Sequence, residues 1–177
     1  MTGRDDRVVA VFGSGDAAAG EAAYEQAVAA GRTLAQLGYT IANGGYGGTM
    51  EAAAKGAAEA GGQVIGVTCS VWPGRANRYA QRVVVTSDLA ERVARLVELG
   101  RCGYVVLPGA TGTLAELAHV WERMCKGLLP RRPLVCVGEF WRPLVEMMAA
   151  ARPQSAEFVA IVGAAAELAE HFPAAGV

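Results

Sequence analysis

An α/β fold is predicted, a doubly wound parallel sheet of about six to seven strands with helices on both faces, and three features of the sequence predict it. Short, continuously apolar, β-branched runs such as Val8 to Phe12 mark strands covered on both sides. These runs alternate with longer segments of helical periodicity, a pattern that calls for crossover connections and a parallel sheet. Glycine-rich loops follow the first, second and fifth runs, so all three fall at the carboxyl edge, where such Rossmann-like sheets bind ligands.

The first strand, Val8 to Phe12, runs into Gly13-Ser14-Gly15-Asp16, and an Ala-rich helix over Glu21 to Leu37 stops at Gly38. Tyr39 to Ala42 is the second strand. It ends in Asn43-Gly44-Gly45-Tyr46-Gly47-Gly48-Thr49, where four glycines in five positions let backbone approach a ligand or another loop. A helix follows from about Met50 to Ala60, then a third strand over Val64 to Thr68. The segment Trp72 to Tyr79 is a loop whose aromatic and basic groups could line a mouth. Arg82 to Val85 forms a short fourth strand, and Thr86-Ser87-Asp88 caps a helix from Leu89 to Leu99. Strand five, Tyr104 to Leu107, leads through a further Gly-rich turn into a helix that reaches Lys126. Pro133 to Val137 and Phe158 to Val162 supply strands six and seven, with a helix over Trp141 to Ala150 between them and a terminal helix over Ala164 to Phe172. No repeat, low-complexity tract or linker interrupts the pattern, and residues 1–177 are read as one domain.

A chain of 177 residues buries a full core without disulfide or metal staples. Its net charge of -1, from 16 basic and 17 acidic residues, gives no long-range field to attract nucleic acid or an acidic membrane, and neither is expected as a partner. The four cysteines, Cys69, Cys102, Cys125 and Cys136, are widely spaced without a C-x-x-C pair and read as reduced, core or near-core thiols. The polar start, Met1 to Asp6, holds no signal-peptide core, and no apolar run approaches the ~20 residues of a membrane helix. A cytoplasmic protein is expected.

The most informative stretch is Leu107-Pro108-Gly109-Ala110-Thr111-Gly112-Thr113-Leu114-Ala115-Glu116. It reads as a strand-to-helix turn, with Gly109 and Gly112 permitting close backbone approach and Thr113 at the positive end of the helix dipole, a place for an anion. Glu116 falls one turn into the helix, beside a phosphate cradle and not inside it. That suits chemistry on the sugar or base attached to the phosphate. The same residues also suit an ordinary glycine turn followed by a first-turn Glu.

Two nucleotide-binding classes are disfavoured. A dinucleotide site needs G-x-G-x-x-G in the first turn and an acid closing the second strand, whereas Gly13-Ser14-Gly15 leads into Asp16-Ala17-Ala18 and the second strand ends in Ala42-Asn43-Gly44. No G-K-[ST] triplet marks a P-loop. A mononucleotide or sugar phosphate fits better.

The segment Pro108 to Glu116 resembles the PGGxGTxxE signature of the Lonely Guy (LOG) family, cytokinin riboside 5′-monophosphate phosphoribohydrolases also labelled lysine decarboxylases. The likeness extends to Val9-Ala10-Val11-Phe12-Gly13-Ser14, to Gly44-Gly45-Tyr46-Gly47-Gly48-Thr49-Met50-Glu51-Ala52, and to Asp88-Leu89-Ala90-Glu91-Arg92, the stretch that supplies the family's catalytic Arg. The resemblance implies catalytic Arg92 and Glu116. It also implies a phosphate- and substrate-binding surface of Gly13, Ser14, Gly44, Gly45, Gly47, Gly48, Pro108, Gly109, Ala110, Thr111, Gly112 and Thr113. A small-molecule nucleotide, no metal, no cofactor and a homodimer are implied with them. The chain departs from the pattern at Ala110, where the signature has Gly, and at Val93, where Lys is usual; one extra residue between Arg92 and Pro108 makes Arg95 a rival to Arg92.

On chemistry alone, Glu116 could stabilise a ribosyl cation and orient or deprotonate water while Arg92 holds it, or the two could form only a structural ion pair. A non-catalytic nucleotide or nucleotide-like cofactor carrier is the alternative reading of the whole chain. His119 stands three residues after Glu116, but a single copy of that pairing gives no di-metal site. Lys55 and Lys126 fall in or at the end of predicted helices, away from the glycine edge, which leaves a pyridoxal phosphate decarboxylase unsupported. The helix after the motif carries Leu117, Val120, Trp121 and Met124, more apolar surface than one sheet face obviously covers. These read as core or as the homodimer surface.

Overall fold

The computed structural model describes residues 7–72 and 74–174. The polar start, Met1 to Asp6, on which the expectation about a signal peptide falls, Pro73 of the mouth loop and residues 175–177 lie outside them. The seven strands are β1 Val8–Phe12, β2 Thr40–Asn43, β3 Val64–Cys69, β4 Arg82–Thr86, β5 Gly103–Val106, β6 Leu134–Val137 and β7 Ala160–Val162. All neighbours pair in parallel, in the order β4-β3-β2-β1-β5-β6-β7. The doubly wound class is therefore correct. After β4 the chain crosses to the far side of β1 to lay down β5, so the crevice between the β1 and β5 ends is the switch point of the sheet.

Five helices cover the two faces: α1 Ala22–Gln36, α2 Gly48–Glu59, α3 Leu89–Leu99, α4 Thr111–Cys125 and α5 Arg142–Ala151. Alternation along β1 divides the core between them. Val9 and Val11 join Leu34 of α1 and Ala53 of α2, while Ala10 and Phe12 join Leu96 of α3 and Leu117 of α4. Asp88 caps α3 as expected, its side chain accepting from Glu91 N.

Three expectations need adjustment. The second glycine loop ends sooner than predicted, because Gly48 and Thr49 already belong to α2. Gly48 has φ of +63°, and a Cβ there would overlap Ser14 O, so this left-handed entry to α2 is a glycine position. The seventh strand begins only at Ala160, preceded by a 3₁₀ turn over Pro153–Phe158, and the predicted terminal helix is a second 3₁₀ turn, Ala165–Glu170. Short, tightly wound turns of this kind read like helix ends in a sequence.

The helix after the motif corrects the dimer argument. Leu117, Val120, Trp121 and Met124 are all buried within the protomer, and Trp121 donates its indole N–H to Ser155 O of the Pro153–Phe158 turn at 2.7 Å. The apolar excess is thus taken up within the protomer, by the sheet and by the chain's later segments, and it no longer points to a dimer. No helix among the described residues is long and apolar enough to cross a membrane. All four cysteines are free, with Cys69 and Cys136 buried.

The contact between α1 and α2 rests on two reciprocal glycines. A Cβ on Gly31 would overlap Ala53 O, and one on Gly56 would overlap Val28 O. Alanine ordinarily strengthens a helix by about 1 kcal/mol over glycine. Here the overlap involves backbone, which cannot swing aside, and overpacking of this kind costs about 1–3 kcal/mol. Gly31→Ala is expected to lower unfolding free energy by up to about 2 kcal/mol in urea titrations; a gain in stability would show that the helices separate without cost.

Candidate functional site

The carboxyl edge gathers the loops after β1, β2 and β5 around a cavity of about 340 Å³. Leu107, after β5, donates its N–H to Phe12 O, and the indole of Trp141 donates to Leu107 O at 3.0 Å, so the turn into α4 is pinned from below and from the side. Thr49 clasps the first loop from both ends: its Oγ1 accepts from Ser14 N and donates to Ser14 O, while its own N–H also donates to Ser14 O. Asn43, fully buried at the end of β2, donates to Met50 O and accepts from Gly45 N. An amide that braces a turn has replaced the acid a dinucleotide site would need there.

Helix α4 begins at Thr111, with Ala110 as its N-cap, and the first intrahelical bond runs from Leu114 N to Ala110 O. Thr111, Gly112 and Thr113 therefore direct N–H groups out of the helix end, at the positive pole of its dipole. Thr113 Oγ1 is buried and has no hydrogen-bond partner. A buried hydroxyl without a partner is rare and costly, and here it belongs to a residue of the cavity wall beside free amides. A Cβ on Gly112 would meet nothing within 4 Å, so the space above the helix end is open to a ligand.

Glu116 lies one turn further on, in the same wall, and is 5% exposed. Its partner is Arg92 of α3, 7% exposed, with Nη1 3.4 Å from Glu116 Oε1. The guanidinium is fixed by more than the ion pair. Its Nε donates to Val67 O at 2.9 Å and its Nη2 to Gly44 O at 3.1 Å. A Cβ on Gly44 would overlap Nη2, so the glycine is what lets the arginine through. Arg95, the rival in the sequence, faces outward and pairs with Glu98. Burial pushes the Glu116 carboxyl up to about 7, with the Arg92 charge pulling the other way. The carboxyl thus changes charge near neutrality, the range in which a group both gives and takes protons.

Of the residues the sequence proposed, Gly13, Ser14, Arg92, Ala110, Gly112, Thr113 and Glu116 line this cavity. Gly44, Gly45, Gly47, Gly48, Pro108, Gly109 and Thr111 do not. Their part is to shape the loops: a Cβ on Gly109 would overlap Thr113 Oγ1, the hydroxyl left without a partner.

The cavity also takes Gly15, Asp16, Tyr46, Met50 and Trp72, which the sequence had not assigned to the site. Tyr46 is held by its hydroxyl, which accepts from Cys69 N and donates to Cys69 O. Trp72 meets it edge to face, the ring centres 6.2 Å apart. Asn77 donates to Gly45 O and Tyr46 O, folding the β3–β4 loop over the end of β2, and that fold delivers Trp72. Only the expectation that Trp72 belongs to a mouth-lining loop hinted at this. Among the described residues no group of three or more His, Cys, Asp or Glu side chains is placed to hold a metal. Lys55 and Lys126 pair with Glu59 and Glu122 on α2 and at the end of α4.

Comparison with known proteins adds an independent line. An uncharacterised protein of Archaeoglobus fulgidus is 29% identical over 113 residues, 62% of this chain and 70% of that protein. Proteins of Mycobacterium marinum and Mycobacterium tuberculosis, both named cytokinin riboside 5′-monophosphate phosphoribohydrolase, are each 34% identical over 107 and 100 residues, 59% and 55% of this chain. The matched segment spans only 57% and 53% of those two relatives. Among solved structures, the molybdenum cofactor binding protein of Rippkaea orientalis shares the fold at a TM-score of 0.76 and 23% identity, over 92% of this chain and 93% of its own. The Moco carrier protein of Chlamydomonas reinhardtii does so at 0.69 and 26%, over 90% of each chain. The family model of SLOG cluster4 matches residues 6–152, most of the molecule and every residue of the cavity wall, and the chain belongs to that family.

Proposed function

We propose that this protein hydrolyses the N-glycosidic bond of a nucleoside 5′-monophosphate of the AMP or N6-substituted AMP type, releasing the free base and ribose 5-phosphate. The observation that carries the reading is the placement of Glu116: a buried carboxyl in the cavity wall, one helical turn beyond three free amides and an unpartnered hydroxyl. A 5′-phosphate on those donors, with Ser14 opposite, brings the ribose toward the carboxyl. Tyr46 and Trp72 offer aromatic surface to a flat base. The two mycobacterial relatives carry the name of this activity.

In the reaction, the oxygen of water bonds to C1′ as the bond from C1′ to the base nitrogen breaks. Positive charge develops on the ribose, and ionised Glu116 stabilises it and takes a water proton. The proton then passes to the leaving base nitrogen. Arg92 is a positioning residue: fixed by Val67 O and Gly44 O, it orients the carboxyl and opposes the upward pull of burial. No metal enters this scheme.

A carrier that holds a nucleotide-like cofactor without turnover is the second reading, favoured by the fold shared with the Moco carrier protein over nine-tenths of the chain. Chromatography of reactions with AMP, N6-substituted AMP and the other nucleoside monophosphates separates the two. Free base is expected from at least one of them, and binding with no release from any would leave the carrier. Glu116→Gln is expected to lower kcat by about 10²–10⁴-fold while ligand affinity is retained.

The pH dependence follows from the raised carboxyl. Ionised Glu116 is the working form, so kcat/KM is expected to rise with pH through about 7 and then level off. Arg92→Gln removes the charge that holds the carboxyl down and is expected to move this limb to higher pH. A limb left in place by that substitution would separate Arg92 from the titration of Glu116.

A further inference from the structure

The edge of the sheet opposite the ribose cavity carries a second, larger hollow of about 580 Å³. It lies where strands begin: Val8 of β1, Ile65 of β3 and Leu129 after α4 supply apolar walls. Arg82, Arg95, Arg101, Arg123 and Arg132 line it, with Glu98 the one carboxylate among the lining residues. In a chain whose net charge is -1, five guanidinium groups stand against one carboxylate among the described lining residues.

Part of that charge has structural employment. Arg95 pairs with Glu98, Arg101 is engaged by a partner of its own, and Arg132 donates to Gly100 O at the end of α3 and to Tyr104 Oη. Arg123, in the last turn of α4, is different. Its Nε is buried and has no hydrogen-bond partner, although a guanidinium nitrogen in that position normally finds an acceptor. Glu98, the one carboxylate among the described lining residues, is already engaged by Arg95. A buried donor without an acceptor, walled by further arginines, is suited to an oxygen brought by a ligand.

We propose that this hollow is a second anion site, for a di- or triphosphate chain carried by a nucleotide or free in solution. Its volume falls within the range of small-molecule sites. Its forked donors match phosphate oxygens, and the apolar walls accept a base or ribose if one is attached. The site stands apart from the ribose cavity, sharing no lining residue with it, and does not depend on the reaction proposed there.

Calorimetric titration of the full chain with ATP, inorganic tripolyphosphate and adenosine tests it. Binding of ATP and tripolyphosphate is expected, weakening as salt rises, with adenosine alone far weaker. Tighter ATP than tripolyphosphate assigns a nucleotide, and equal affinity assigns the phosphate chain. Arg82→Gln/Arg123→Gln is expected to weaken both ligands at least tenfold, and exposed Arg82→Gln alone to weaken them several-fold should the double variant not fold. Thr113→Val, which alters only the ribose cavity, is expected to leave this binding unchanged. Loss of binding in Thr113→Val but not in the arginine variants would place the anion at the α4 end and overturn the proposal. So would the absence of binding at millimolar ligand, or a single-stranded oligonucleotide that binds more tightly than either phosphate ligand.

Discussion

The ion pair between Arg92 and Glu116 is the constraint around which the carboxyl edge is arranged. It joins α3, which follows β4 on one side of the sheet, to α4, which follows β5 on the other side of β1. Two charges taken out of water cost several kcal/mol each, and their mutual attraction offsets this only when the remaining donors find partners. Arg92 meets that condition with the carbonyls of Val67, within β3, and Gly44, just past the end of β2. Four elements therefore converge on one guanidinium, and a glycine at position 44 is the geometric condition for it.

Glu116 meets the condition less fully. Among the described residues Arg92 is its only partner in a hydrogen bond or ion pair, and burial outweighs that attraction, raising the carboxyl from 4.5 to about 7. A carboxyl whose pKa is raised by folding binds its proton more tightly in the native state. Its contribution to stability is present in full below about 4.5 and is lost as pH rises through about 7. The loss by neutral pH is on the order of 3 kcal/mol. That is a sizeable fraction of the stability of a domain this size.

The sheet and the pairing of Arg92 with Glu116 at its carboxyl edge were legible in the sequence because each depends on local pattern. The apolar runs of β1, β3 and β5 place strands, and the turn from Pro108 to Glu116 announces a helix start with a carboxylate one turn in. Arg92 could be told from Arg95 only in three dimensions, where one points to the crevice and the other to Glu98. Asp16, Tyr46 and Met50 stand in or beside the glycine loops the sequence singled out, but which side chains turn into the cavity is not written in a loop's pattern, and Trp72 comes from further along the chain. Trp72 arrives through the folding of the β3–β4 loop over β2, fixed by two hydrogen bonds from Asn77. The apolar face of α4 was misjudged for a related reason. Part of its cover is the Pro153–Phe158 turn, whose Ser155 lies 34 residues past Trp121, and a sequence pattern records that a face is apolar without recording what lies on it.

The energetic position of Glu116 bears on the choice between turnover and carriage. A protein that only holds a phosphorylated ligand needs the amides of Thr111 to Thr113, the hydroxyls of Ser14 and Thr113, and aromatic surface at the mouth. It has no use for a buried carboxylate, which repels phosphate and lowers stability at neutral pH. Exchange of a buried ion pair for apolar groups of similar volume is often neutral or stabilising, so the pair is not explained by the fold alone. Stability lowered at a cavity wall, in a group tuned to change charge near neutrality, is what acid–base chemistry at a ribose carbon requires. Membership of the family and the shared architecture are common to both readings; the cost of keeping Glu116 where it is argues for the hydrolase.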